Sequence, residues 1–280
     1  MSVNFVSTSN EYLASHRYRI QSPQTGLLME GIECKVSPHF LLDADVCIYS
    51  KHLNLADYPD AIGARGMGKR VIFDICDDHT ETEMADHYNR MVSVAHEITC
   101  NSEQMARRIR EVWKKKATVI PDPIIYNPID RVPDLTKFLW FGFHGNISAL
   151  IDNIDLVGDR QLEICTGPIK GAVSPYVTLT RFSPEEQQRA FHRNGVAYLP
   201  YGTDRTATKS ANRIIEALNA SMVVVTNGIP ASRELDSFVE VSLEDVSEKS
   251  IQKMEAGRAF VRKKYSQKAI TKLWRKVLGV

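Results

Sequence analysis

The sequence predicts an α/β protein of two domains, each built on a parallel sheet. Three observations carry this. Short apolar, β-branched runs alternate with amphipathic segments of helical period, the pattern of strands joined by crossover helices. Pro121, Pro123, Pro128 and Pro133 fall close together with Asn127 and Asp130, and mark a linker near the middle of the chain. The length, 280 residues, is enough for two domains of about 100–150 residues each.

Composition narrows the class. Hydrophobic residues make up 43% and charged residues 25%, which is ordinary for a globular protein and excludes a disordered or fibrous one. The formal net charge is +1, so bulk charge points to no particular partner. The 5 cysteines are scattered without a CxxC pair, and read as buried thiols in a reducing compartment rather than a disulfide frame or zinc site. The first residues lack a basic segment followed by an apolar core, so no signal peptide is expected and the location is read as cytoplasmic. No run approaches ~20 apolar residues, so no stable membrane insertion is expected.

In the first domain, residues 3–6 form a strand that leads through Ser7, Thr8, Ser9 and Asn10 into a helix beginning near Ser15. The loop from a first strand to its helix commonly faces the ligand crevice of an α/β domain. Ser15, Arg17 and Arg19 are therefore candidates to meet a phosphate or acceptor, against the plainer reading of a solvated basic helix. Strands follow at 31–36 and 44–49, then a helix at 58–66. Residues 69–76, KRVIFDIC, give the clearest strand, which delivers Asp77, Asp78 and His79 at its C-terminal end. With Asp74 these residue types can hold a divalent metal. They also suit a general base or an orienting group for a hydroxyl, and Asp78 or His79 is the catalytic candidate. The competing reading is a helix cap near Thr80 and Thr82. Residues 97–100 are a strand, Asn101 and Ser102 a capping pair, and 103–113 a helix with Met105, Ile109 and Val112 inward. Residues 117–120 close the domain.

The second domain opens with a strand at 138–143, FLWFGF. Gly142, His144, Gly145 and Asn146 follow, with a helix beginning near Ile147. A glycine-bearing strand–loop–helix turn lets backbone N–H groups approach a phosphate, so Gly145 and Asn146 are candidate donor contacts. The turn is not GxGxxG, and dinucleotide binding is weakly supported. Strands are expected at 161–165, 176–179 and 238–241. A helix with a capping-box start at Ser183 covers 183–193. Residues 246–278 read as helical and basic, with Phe260, Val261, Ile270, Leu273, Trp274 and Val277 packing inward. A packed helix with a solvated basic face is favoured there over a membrane-surface segment.

Residues 198–230 hold the densest signal. A strand at 196–199 runs into the small polar loop 202–208, a helix expected at 209–220, and a second strand at 222–225 closed by Asn227-Gly228. Lys209, Asn212, Arg213 and Glu216 fall at i, i+3, i+4 and i+7, one stripe of the helix. The helix start offers unpaired N–H groups beside Arg205, Thr208, Lys209 and Ser210, an anion site. Glu216 lies about 10 Å further along the axis. A carboxylate there can accept two hydrogen bonds from a ribose diol while a diphosphate lies on the helix start. The stripe suits a nucleotide-diphosphate sugar; the alternative is a solvated face of ordinary charges.

The run Lys209-Ser210-Ala211-Asn212-Arg213 with Ile215-Glu216-Ala217-Leu218, then Val223-Val224-Val225 and Ile229-Pro230-Ala231, resembles the donor-binding segment of GT-B glycosyltransferases, nearest to the family 4, or group 1, type. The resemblance also covers Ser15, Arg17 and Arg19 as an S-x-R-x-R opening, and residues 69–78 and 99–123. In that family two glutamates separated by seven residues flank the helix start. Glu216 matches the second, which the family uses on the donor ribose; the first falls on Thr208, so the motif is incomplete and the usual retaining outcome does not carry over. The resemblance implies two Rossmann-like domains facing across a cleft, with a C-terminal helix packing back on the first. On this reading residues 1–125 are the acceptor-side domain, 126–137 the linker, 138–262 the donor domain and 263–280 the terminal helix. It implies a hexosyltransferase that uses helix dipoles and basic side chains on the leaving diphosphate, with no metal and no cofactor beyond the nucleotide sugar. The acceptor is a hydroxyl of a glycan, lipid, protein or modified nucleic acid. A sugar-nucleotide epimerase of the same fold and a non-catalytic sugar-nucleotide or glycan-binding protein are the alternatives.

Overall fold

The computed structural model describes residues 1–50, 54–168, 175–202 and 208–280. The chain forms two compact units. Unit 1 comprises residues 1–125, 208–210 and 265–280; unit 2 comprises 126–207 and 211–264.

Unit 1 holds a six-stranded sheet of β1 (Ser2–Val6), β2 (Glu33–Ser37), β3 (Val46–Ser50), β4 (Arg70–Ile75), β5 (Glu97–Cys100) and β6 (Thr118–Val119). The spatial order is β2-β1-β3-β4-β5-β6, with every pairing parallel. Parallel strands must be covered on both faces, and β4 illustrates how the sequence does this. Its alternation puts Val71, Phe73 and Ile75 in one buried cluster and Ile72 in the other.

The helix Gln267–Leu278 returns to unit 1, as expected for the terminal helix. Ile270, Trp274, Val277 and Leu278 join the cluster of Val3, Phe5, Ile48 and Ile72. Trp274 meets Phe5 edge-on at 5.9 Å. The approach to the helix Ser22–Met29 is close enough that a Cβ at Gly26 would lie 2.1 Å from Thr271 Oγ1.

Unit 2 holds a second parallel sheet of β7 (Lys137–Phe141), β8 (Gln161–Thr166), β9 (Val177–Arg181), β10 (Val196–Tyr198) and β11 (Val223–Val225). Its order is β11-β10-β7-β8-β9, so β7 lies at its centre. The helix Pro184–Arg193 starts as the capping signal predicts, with Ser183 Oγ accepting from Glu186 N at 3.1 Å.

Four expectations are corrected. The segment after β1 is not one α-helix: Ala14–His16 passes into a π-helical turn, Arg17–Gln21, before Ser22–Met29. Val112 is 38% exposed rather than inward. Residues 238–241 form no strand; Glu240 makes one isolated bridge with Val225, because Ser242 then caps a short turn by accepting from Glu244 N. The basic tail is two helices, Glu248–Lys264 and Gln267–Leu278, divided where Ser266 Oγ accepts from Ala269 N and starts the second.

Candidate donor and acceptor sites

In unit 2 the helix of the predicted stripe runs Asn212–Asn219, three residues later than the sequence suggests. Thr208, Lys209 and Ser210 precede it and belong to unit 1. Ser102, whose Oγ caps the helix Glu103–Trp113 by accepting from Met105 N at 3.1 Å, donates to the Thr208 carbonyl at 3.3 Å. Ser210 hydrogen-bonds the Asp122 carboxylate. The predicted donor residues are thus divided between the units. Arg205 lies outside the described residues.

The stripe is not a solvated face. Glu216 is fully buried and Arg213 and Asn212 are half-buried. The Arg213 guanidinium lies 4.3 Å from the centroid of the Tyr201 ring and 5.8 Å from that of Trp140, and Nη1 donates to the Phe141 carbonyl at 3.5 Å. These contacts come from the C-terminal ends of β7 and β10, the side of an open α/β sheet where ligands bind. Tyr201 is itself fixed, its backbone N donating to Asn227 Oδ1 at 2.8 Å and its carbonyl accepting from Asn227 Nδ2 at 2.7 Å. Stacking on an aromatic face orients a guanidinium while leaving it charged, so Arg213 is set to meet an anion. Gly145 and Asn146 sit in a short turn, His144–Asn146, after β7. The helix expected to begin near Ile147 is present as a single turn, Ser148–Ile151.

In unit 1 the predicted basic opening is corrected. Arg19 is 1% exposed and faces neither solvent nor a ligand. Its Nε donates to Asp74 Oδ2 at 3.0 Å and its Nη2 to Asp74 Oδ1 at 2.5 Å; its Nη1 donates to Asp122 Oδ1 at 3.3 Å and to the Ile120 carbonyl. Ser50 and Thr99 hydroxyls complete Asp74, each at 2.7 Å. Burial pushes both carboxyls up. At Asp74 the charge and hydrogen bonds of Arg19, with the two hydroxyls, outweigh it and hold the carboxyl below its usual range. At Asp122 burial wins, and Arg19 and Ser210 offset only part of the rise. Arg17 is also buried, with Nη1 donating to the Glu11 carbonyl at 2.6 Å, and Ser15 is half-buried on the preceding turn.

The acidic cluster after β4 is not assembled either. Asp74 points into the core, as its hydrogen bonds record, while Asp77, Asp78 and His79 follow the strand. Among the described residues no three His, Cys, Asp or Glu side chains are grouped to hold a metal ion. Asp78 Oδ1 accepts from Thr80 N at 3.0 Å and Thr80 Oγ1 at 2.6 Å, which closes a local turn; it caps no helix, since the next one begins only at Ala85. Its Oδ2 lies 3.3 Å from Arg108 Nε. His79 Nδ1 is 3.3 Å from Thr82 Oγ1, and its ring packs on Tyr88 at 5.2 Å. Sequence reading missed Asp122, Tyr201 and Trp140. Only the first carried a local signal, an acidic residue set between prolines in VIPDPI.

All five cysteines are free and buried. Burial pushes the Cys100 and Cys165 thiols up to about 12. Among the described residues no helix is long and apolar enough to cross a membrane.

No protein-family profile matches the sequence, and no curated protein does. Solved structures are similar over the full length. WaaG, a glycosyltransferase involved in lipopolysaccharide biosynthesis, aligns with a TM-score of 0.65 at 11% identity, over 99% of this chain and 100% of that one. AviGT4, a glycosyltransferase involved in avilamycin A biosynthesis, aligns at 0.61 and 14%, over 100% and 98%. A DNA modifying β-glucosyltransferase aligns at 0.58 and 11%, over 100% of both chains. With the two parallel sheets, this likeness establishes the GT-B fold.

Proposed function

We propose that the chain is a glycosyltransferase that moves a sugar from a nucleotide-diphosphate sugar to a hydroxyl acceptor. The observation that carries the reading is one helix of a GT-B fold. Asn212–Asn219 combines Arg213, oriented over Tyr201 at the sheet's C-terminal edge, with the buried carboxylate of Glu216. The similar structures support it: all three are glycosyltransferases, and uridine diphosphoglucose is the substrate of the DNA modifying enzyme.

On this reading Glu216 takes the donor ribose, and Arg213 with the helix start takes the diphosphate. Negative charge builds on the diphosphate as the glycosidic bond breaks, and a fixed guanidinium that strengthens its hold at that moment lowers the barrier. The reaction is of the hexosyl type and draws on no metal. On the acceptor side Asp78 or His79 is assigned the hydroxyl proton.

The test is a titration of sugar nucleotides followed by thermal melting, with wild type, Glu216→Gln and Arg213→Ala, and then release of nucleoside diphosphate with hydroxyl acceptors. A bound donor raises the melting temperature by mass action. We expect one nucleotide series to stabilise the wild type and to lose at least about tenfold in affinity in each variant, the worth of one charge-assisted hydrogen bond. Donor binding without turnover over a broad acceptor panel would favour a binding protein, and donor isomerisation without acceptor an epimerase. A wild type that no sugar nucleotide stabilises removes the proposal.

A further inference from the structure

The turn after β7 presents two aromatic rings that the fold leaves uncovered. Trp140 and Phe141 at the end of β7 are buried, whereas Phe143 is 59% exposed and His144 is exposed beside it. The two rings lie against each other with centroids 4.2 Å apart. Three glycines shape this arrangement by lacking a Cβ. One at Gly145 would lie 2.8 Å from the Phe143 ring, and one at Gly167 3.0 Å from His144 Nδ1. At Gly142, next to Phe143 in the chain, it would lie 3.3 Å from Arg213 Nη1. Gly142 thus sits against the oriented cation, and the exposed ring of Phe143 follows it on the same loop, at the C-terminal end of the sheet's central strand.

We infer that Phe143, backed by His144, is the stacking platform for the donor's nucleobase. This rests on the nucleotide-sugar reading above. A guanidinium and an open aromatic ring at the same edge of the sheet match a ligand with a phosphate and a flat ring. The base is the flat, apolar-faced part of a sugar nucleotide. A sugar ring also packs its C–H face on aromatic side chains, and the comparison of UDP with UDP-glucose separates the two. Stacking on an aromatic side chain is tolerant of base identity, so the platform gives affinity, and selection among bases falls to other contacts.

Isothermal titration separates the parts of the ligand. The probes are UDP, GDP, ADP, UDP-glucose and inorganic pyrophosphate, on wild type, Phe143→Ala and Phe143→Trp. Phe143 is exposed, so equal melting temperatures without ligand are expected and check the fold. We expect Phe143→Ala to weaken the best-bound nucleoside diphosphate by about 5- to 150-fold, Phe143→Trp to retain it, and pyrophosphate to bind all three proteins alike. If Phe143→Ala binds nucleoside diphosphates like the wild type, the platform is overturned and the donor reading stands. A loss confined to UDP-glucose, with UDP unchanged, assigns the ring to the sugar and overturns it too, as does an equal loss for pyrophosphate. A wild type that binds none of the nucleotides removes the platform and the proposed function together.

Discussion

Arg19 is the residue on which unit 1 is most exposed to damage. Its guanidinium is held by Asp74, Asp122 and a carbonyl with no access to water. Removing it leaves two carboxylates buried against each other, so Arg19→Met should cost about 3–5 kcal/mol in urea unfolding. The two acids also predict opposite pH behaviour. Asp74 has a depressed folded pKa, so its contribution is present above the usual value of 3.8 and is lost as pH falls through the folded value. Asp122 has a raised folded pKa, so its ionised form costs stability as pH climbs from 3.8 toward the folded value. Between about pH 2 and 7 the two variants should therefore diverge: below 3.8 Asp74→Asn loses ground to the wild type as pH rises, and above 3.8 Asp122→Asn gains. Parallel slopes in urea melts across that range would refute the assignment. None of this was legible locally. The sequence offers Arg19 as a cation on a helix, and its partners stand 55 and 103 residues away. Glu216 was legible as a stripe member at helical spacing; its burial was not, because it depends on how Glu248–Lys264 and β11 close over that helix. Asp78 was readable as a base or as a helix cap, and the structure ties it instead into a local turn with Thr80, ahead of a helix that begins only at Ala85.

At the scale of elements, strands and capped helices were legible because their causes are local. Ser102 and Ser183 begin helices where the sequence places them, and β-branched runs become strands. The π-helical turn Arg17–Gln21 was not, since its reason is to bury Arg17, Tyr18, Arg19 and Ile20 in succession, which a 3.6-residue period does not do. Close helix contacts are equally silent in sequence. Gly257 lies in Glu248–Lys264 where a Cβ would meet Phe238 at 2.8 Å and Leu218 at 3.0 Å. Gly257→Val should cost about 1–3 kcal/mol through overpacking, measured by chemical denaturation. A neutral result would mean that Phe238 and Leu218 yield freely.

For the whole molecule, the division into two units predicts separable stability. Each has its own sheet and its own buried side chains. Hydrogen exchange on Arg19→Met should show protection falling in β1, β3 and β4 and in the helix Gln267–Leu278, while β7 and β8 keep theirs. Uniform loss would mean that the units unfold as one.

The return of Gln267–Leu278 also bears on how the chain is made. Trp274, 0% exposed, and three apolar neighbours belong to the same core as the first strand, yet they are synthesised after the whole of unit 2. Domains ordinarily finish folding in the order in which they leave the ribosome. Here unit 2 has all of its residues before unit 1 has its own, so the N-terminal core must wait, with Phe5 and its neighbours unsheltered, until residues 267–278 have been made. A nascent chain stalled before residue 265 should carry a folded second sheet behind an unfinished first one, a substrate for chaperones rather than a half-complete native molecule.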